Sequence, residues 1–249
     1  MHMAMEDCYA RSYCTKFRDE SQCNFECIAY HQMNNVFEMS GLPKRYRHNI
    51  PLRPDGVDLE RFRQLKDWIH VEEEIVEGKR TFRHSIVDKV KNGLGLFIWS
   101  ETKGNGKTSW AAKIMQGYFR AIGVTNNLRT RGLYINVPEF LEDMRNNMNN
   151  PTEEHQRLVN LVKKVDMVIF DDIGTESPTK WVREQLYIII NKRYAEGLCN
   201  IFTSNMSLAQ LGHEEVLSDR IASRIQGSCE IIEFRGQDKR GMEKESRRT

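Results

Sequence analysis

The chain has 249 residues, 39% of them hydrophobic and 29% charged, with a formal net charge of +2. That is enough chain for one α/β domain with a small appendage. The near-neutral balance gives no sign of a uniformly basic nucleic-acid coat. No run of 18 apolar residues occurs, which excludes a membrane-spanning helix, and the N-terminus MHMAMEDCYARSYC lacks the apolar region of a secretory signal. A reducing cytoplasm is therefore expected, where disulfides are rare.

In chain order, residues 1–50 form a cysteine-rich, glycine-poor segment carrying Cys8, Cys14, Cys23 and Cys27. The segment is too short to bury enough apolar surface by itself. A Zn²⁺ ion held by the four thiolates is the cytosolic staple. The C-x3-C pair fits a zinc knuckle and the wide first gap does not. His31 is an alternative ligand, and four free thiols are the plain alternative. Residues 51–90 read as a linker and a helix. RHNIPLRPDGVD is the connector, and Leu59, Phe62, Leu65, Trp68 and Ile69 predict a helix over residues 59–78, stopped by Gly78.

From residue 91 to 241 short apolar runs alternate with helical stretches. Strands are expected at 94–100, 132–137, 165–172, 199–205 and 229–234, and helices at 108–123, 138–148, 179–197 and 218–226. This alternation predicts an α/β fold, a parallel sheet covered on both faces. Residues 242–249 form a charged tail, expected to be flexible. Cys199 and Cys229 sit in apolar runs and read as small buried hydrophobes.

The first strand runs into SETKGNGKTS and then a helix. This approximates the phosphate-binding pattern G-x-x-x-x-G-K-[ST], with Glu101 where the first glycine stands. Gly104, Asn105, Gly106, Lys107, Thr108 and Ser109 would aim backbone N–H groups and a helix N-terminus at phosphates. Lys107 would reach the β- and γ-phosphates, and Thr108 would bind Mg²⁺. A glycine-rich turn capped by threonine is the plainer reading. The strand VDMVIFDD ends in Asp171 and Asp172. Carboxylates at that edge of an open α/β sheet meet ligands. Asp171 would hold Mg²⁺, and Asp172, or Glu176 four residues on, would polarise a water. Asn205, ending the next strand, would order that water. Arg220 and Arg224 share a helix face, and Arg220 could reach the γ-phosphate of a neighbouring subunit. Arg240, or Arg235, could serve the nucleotide in cis.

Together GNGKTS, VIFDDIGTES, KWVREQLYIIINKRY, IFTSN and SDRIASRI resemble the DnaC/DnaI-type replicative helicase loaders of the AAA+ class over roughly residues 90–241. The likeness is closer to the DnaI-like and phage-encoded members, whose N-terminal segment is a zinc-bearing module that docks on the helicase. The resemblance implies an ATPase with ATP or ADP and Mg²⁺ as ligands. Lys107 and Thr108 match Walker A, Asp171 and Asp172 Walker B, Asn205 sensor 1, Arg220 the arginine finger and Arg240 the sensor-2 arginine. It also implies three partners: a DnaB-family replicative helicase, single-stranded DNA, and further copies of the chain assembling through the ATP site. Arg129, Arg131, Tyr134, Phe140 and Arg145 mingle basic and aromatic side chains as a single-strand groove does. Core aromatics beside a solvated helix face would look the same. Two rivals share these motifs. One is a transposition helper ATPase of the IstB type, against which the N-terminal cysteines argue. The other is a zinc adaptor that binds nucleotide without hydrolysing it.

Overall fold

A computed structural model describes residues 8, 27–48, 50, 52, 56–77, 79–122, 130–174 and 179–239. Cys14, Cys23, Gly78, Gly123, Arg129, Glu176, Arg240 and the tail lie outside them. No described helix is long and apolar enough to cross a membrane.

Five strands make one parallel sheet in the order β4–β5–β6–β3–β7. They are β3 (Gly95–Trp99), β4 (Gly132–Asn136), β5 (Met167–Asp171), β6 (Cys199–Ser204) and β7 (Cys229–Glu233). The inner strands are apolar on both faces, as a sheet covered on both sides requires. Alternation along each strand divides the core in two. Leu96, Ile98, Met167, Ile169 and Ile201 face one layer, and Phe97, Val168, Phe170 and Phe202 the other.

On the first side lies the helix that follows β3, α4 (Lys107–Ile122), burying Trp110, Ile114, Met115 and Phe119. Three helices pack with it: α1 (Ile28–Met39), α2 (Leu59–Trp68) and α3 (Ser85–Lys91). The other side carries α5 (Val137–Asn146), α6 (Glu153–Val162), α7 (Lys180–Ala195), the short α8 (Leu208–Leu211) and α9 (Asp219–Ser228). Several of these helices begin where a side chain replaces a missing backbone acceptor. Asn136, Thr152 and Thr179 each accept an N–H of the first turn of α5, α6 and α7.

Two expectations change. The helix expected over 59–78 ends at Trp68. Residues 71–76 instead form β1 (Val71–Val76), paired antiparallel with β2 (Lys79–His84). Three glutamates in a row favour a helix locally, but the stretch KRTFRH opposite supplies cross-strand partners, such as Glu72 opposite Arg83. Second, the described part of the N-terminal segment does not stand apart. Met33 and Phe37 of α1, with Leu42 and Ile50, share the core of α4. Phe37 meets Phe119 edge-to-face at 5.4 Å, and the Tyr134 N–H of β4 donates to the Ser40 carbonyl at 2.7 Å. Removing a ring of this kind costs about 3–5 kcal/mol, so α1 is part of what holds the nucleotide-side helix in place.

A fully buried arginine ties the far end of the sheet. Arg193 of α7 donates from Nη1 to the Val162 and Val165 carbonyls at 2.7 and 2.8 Å, and from Nη2 to the Cys199 carbonyl at 2.7 Å. Its Nε donates to Asn200 Oδ1. Burial pushes its pKa down to about 10.

Candidate nucleotide site

The strand order brings the site together. β6 lies between β3 and β5, so the loops after all three open at one sheet edge. The loop after β3 holds Gly104 to Thr108, the end of β5 holds Asp171, and Asn205 directly follows β6. Residues 34 to 101 positions apart are thus brought to one sheet edge. The β3 and β6 ends are sewn by the Ser100 N–H donating to the Ser204 carbonyl at 3.1 Å.

Ser100 organises the loop from below. Its Oγ accepts from Asn105 Nδ2 at 2.7 Å and from the Thr102 N–H at 3.1 Å. Asn105 is 1% exposed, so its amide is a brace inside the loop and not a surface group. Lys107, also buried, donates from Nζ to the Thr102 carbonyl at 3.0 Å and to the Ser100 carbonyl and Asn105 Oδ1 at 3.4 Å. The ammonium is thus held at the mouth of the loop by oxygens. Thr108 and Ser109, half-buried, occupy the first turn of α4.

The two loop glycines have different reasons. Gly106 (φ +101°) has open space where a side chain would be, which is the room a phosphate needs. Gly104 (φ +73°) has none, because a Cβ there would lie 1.9 Å from Asp238 Oδ1. Asp238 belongs to a segment that crosses the loop after β7. The Lys239 N–H donates to the Gly104 carbonyl at 3.1 Å. The segment is anchored by Asp58, fully buried before α2, whose carboxylate accepts from the Arg235 and Gly236 N–H groups at 2.9 and 2.8 Å. Arg235 itself pairs with Glu233, which raises its pKa and leaves it away from the loop. Arg240 follows Lys239 but lies outside the described residues.

Asp171 is 3% exposed and doubly held. The Tyr134 hydroxyl donates to one carboxylate oxygen and the Thr203 hydroxyl to the other, each at 2.6 Å. Burial and the adjacent Asp171 charge drive the Tyr134 pKa far up, so Tyr134 remains a donor. Thr203 Oγ1 also accepts the Asp172 N–H at 3.0 Å, and Asp172 stands in the left-handed region (φ 58°), turning the chain sharply out of the strand. Asn205 is half-buried at the same edge.

Tyr134 and Thr203 were not expected in this role. The pairing of β4 with β5 and of β5 with β6 explains them, since each stands on a strand that flanks Asp171. The same contacts correct the expected single-strand groove. Tyr134 serves Asp171, Phe140 is buried in the core, and Arg131 is ion-paired to Asp166, so neither ring is a free stacking platform.

Arg220 lies elsewhere. It is exposed at the start of α9, its guanidinium 4.0 Å above the Tyr187 ring of α7. That contact lowers the Tyr187 pKa by hydrogen bonding first and charge second. Arg224, one turn on, donates to Asn191 at 2.9 Å. Cys199 is buried and Cys229 half-buried, and burial drives the first thiol pKa well up and the second to about 12. Of the four N-terminal cysteines only Cys8 and Cys27 are described, both half-buried, and no group of three or more metal-ligating side chains occurs among the described residues.

Oxygen donors fit Mg²⁺, and the Thr108 hydroxyl and the Asp171 carboxylate supply them. The open space at Gly106 and the Lys107 ammonium fit a polyphosphate. The chain is 22% identical to the protein in "Crystal structure of the DnaC helicase loader", which covers 78% of this chain and 100% of that one with a TM-score of 0.60. The two share one fold, a parallel sheet covered by helices on both faces. It is 29% identical over 162 residues to the replicative helicase loader DnaI of Bacillus subtilis, covering 59% of this chain and 48% of the relative. It is 23% identical over 142 residues to the replicative helicase loader DnaC of Escherichia coli, covering 56% and 53%. The chain thus spans about half the length of the curated relatives it matches. Residues 98–247, from inside β3 through the segment that crosses the loop, match the family described as IstB-like ATP binding protein. That match spans more than half of the chain, and the chain belongs to the IstB-like ATP binding protein family.

Proposed function

We propose that this protein is an ATP-hydrolysing loader of a DnaB-family replicative helicase onto single-stranded DNA. The observation that supports it is that the Lys107 loop and the doubly held Asp171 stand at the same edge of the sheet. In this reading Lys107 and the loop N–H groups bind the ATP phosphates, and Thr108 and Asp171 hold Mg²⁺. The metal would neutralise charge developing on the phosphates. Asp172, or Glu176, accepts a proton from water that Asn205 orients. Arg220 of one copy reaches the nucleotide of the next, for which its exposure is suited, and Arg240 serves the same nucleotide in cis. The N-terminal cysteines would hold Zn²⁺ and form the helicase grip, a reading supported by their clustering and by the resemblance to the DnaI-like loaders.

The family description carries the transposition helper's name. The curated relatives described above are both helicase loaders, which favours the loader. The test is ATP turnover with helicase and single-stranded DNA present. Wild type is expected to exceed a Lys107→Ala control clearly, and to co-purify with the helicase unless residues 1–26 are removed. That truncation, unlike one at residue 50, spares the core residues Met33, Phe37 and Leu42. Turnover equal to the control would favour the non-hydrolysing adaptor.

A further inference from the structure

The hairpin β1–β2 stands off the body. Every β1 residue is exposed, and Val71, Ile75 and Phe82 remain 44%, 76% and 60% exposed. The foot of the hairpin is well closed. The Ser85 N–H donates to the His70 carbonyl at 3.0 Å, and its hydroxyl to the Asp67 carbonyl at 2.7 Å. Arg83 pairs with Asp88 of α3 at 2.9 Å. A two-stranded ribbon wet on both faces is marginal alone, and its outer edges are open to further pairing.

Charge is segregated between those edges. β1 reads VEEEIV and is followed by Glu77, whereas β2 reads KRTFRH. The register sets Glu72 opposite Arg83, while Glu73 faces Phe82 and Glu74 faces Thr81, so most of the acidic charge of β1 has no base directly opposite within the ribbon. Val71 and Ile75 share a face with Phe82, because directly paired residues point the same way. An acidic strand of this kind repels nucleic acid. It complements the basic strand of another copy.

We propose that the hairpin adds edge to edge to that of a second copy, the basic β2 of one chain pairing antiparallel with the acidic β1 of the next. The contact is heterologous, so each copy keeps one open edge and the pairing propagates around an assembly. It extends the acid-to-base match that Glu72 and Arg83 make within the ribbon and aligns Val71, Ile75 and Phe82 of successive copies on one face. This rests on the self-association reading above and adds to it a surface away from the nucleotide.

The experiment is sedimentation of the full chain with ATP and Mg²⁺ over a concentration series. In one variant residues 71–84 are replaced by a Gly-Ser-Gly link, which the adjacent His70 and Ser85 permit. Assembly should weaken about tenfold or more while ATP affinity of the monomer is unchanged. In a second variant the charges are exchanged: Glu72→Lys, Glu73→Lys, Glu74→Lys, Lys79→Glu, Arg80→Glu and Arg83→Glu. The exchange keeps the hairpin self-complementary, so this chain should assemble with itself and exclude wild type from mixed assemblies. Undiminished assembly of the excised chain, or free mixing of exchanged with wild-type chains, overturns the proposal. So does an excised chain that assembles normally but no longer retains the helicase, which would make the helicase the occupant. A wild type that stays monomeric under all these conditions sinks the self-association reading itself, and the hairpin pairing with it.

Discussion

Thr203→Val isolates the support beneath Asp171. Valine keeps the branched shape of threonine and suits a strand, but sets a methyl where the hydroxyl stood. That hydroxyl makes two buried bonds, donating to the Asp171 carboxylate at 2.6 Å and accepting the Asp172 N–H at 3.0 Å. A bond to a charged group contributes about 1.5–3 kcal/mol and a neutral one about 0.5–1.5 kcal/mol, so the loss is about 2–4.5 kcal/mol. For a chain of this size each kcal/mol moves the melting midpoint by about 2 °C, giving a fall of about 4–9 °C. Thermal unfolding by circular dichroism measures it, with Thr203→Ser as the variant that keeps the hydroxyl. The effect on chemistry should exceed the effect on binding. Asp171 loses one of its two holds, so Mg²⁺-dependent turnover should drop while ATP binding without metal stays close to wild type. A Thr203→Val protein that melts within about 1 °C of wild type would show that Thr203 does not support Asp171 as argued, given the margin above.

Four further outcomes follow from other features of the chain. Asp58→Ala removes the acceptor of the Arg235 and Gly236 N–H groups, and should raise hydrogen exchange across residues 234–239 and in the Gly104 loop together. Arg193→Met leaves three carbonyls and the Asn200 side chain without their donor in a dry site, and should cost about 3 kcal/mol or more in urea unfolding. Cys199 and Cys229, whose thiols burial keeps protonated, should resist alkylation at pH 8 in the folded protein. Elemental analysis of the same preparation should find near one zinc per chain if the four N-terminal cysteines act as a site, and its absence would leave them as free thiols.

Local pattern made much of this molecule legible. The apolar runs ending in Ser100, Asp171 and Ser204 are strands because nothing but a doubly covered sheet buries such runs, and GNGKTS sits on a strand–helix junction visible in the residues themselves. What local pattern misses is supplied by distant partners. VEEEIV has helix-forming glutamates and becomes a strand only because KRTFRH lies opposite it. Asp58 looks like a turn acid in a proline-rich connector, yet its ligands are 177 and 178 positions away. Tyr134 looks like a stacking aromatic and is a carboxylate clamp, a role fixed by the adjacency of β4 and β5. The stretch from 28 to 50 carries too little apolar surface for a core of its own and joins the core of α4.

Calorimetric titration of Mg²⁺-ATP into wild type and Lys107→Ala tests the nucleotide site most directly. Lys107 places a buried ammonium at the mouth of the loop, and a charge-assisted contact to phosphate contributes about 2–3 kcal/mol. Wild type is expected to bind, and Lys107→Ala, still folded, to bind about 30- to 150-fold more weakly. Equal affinity in both proteins would contradict the assignment of Gly104 to Thr108 as the phosphate-binding loop.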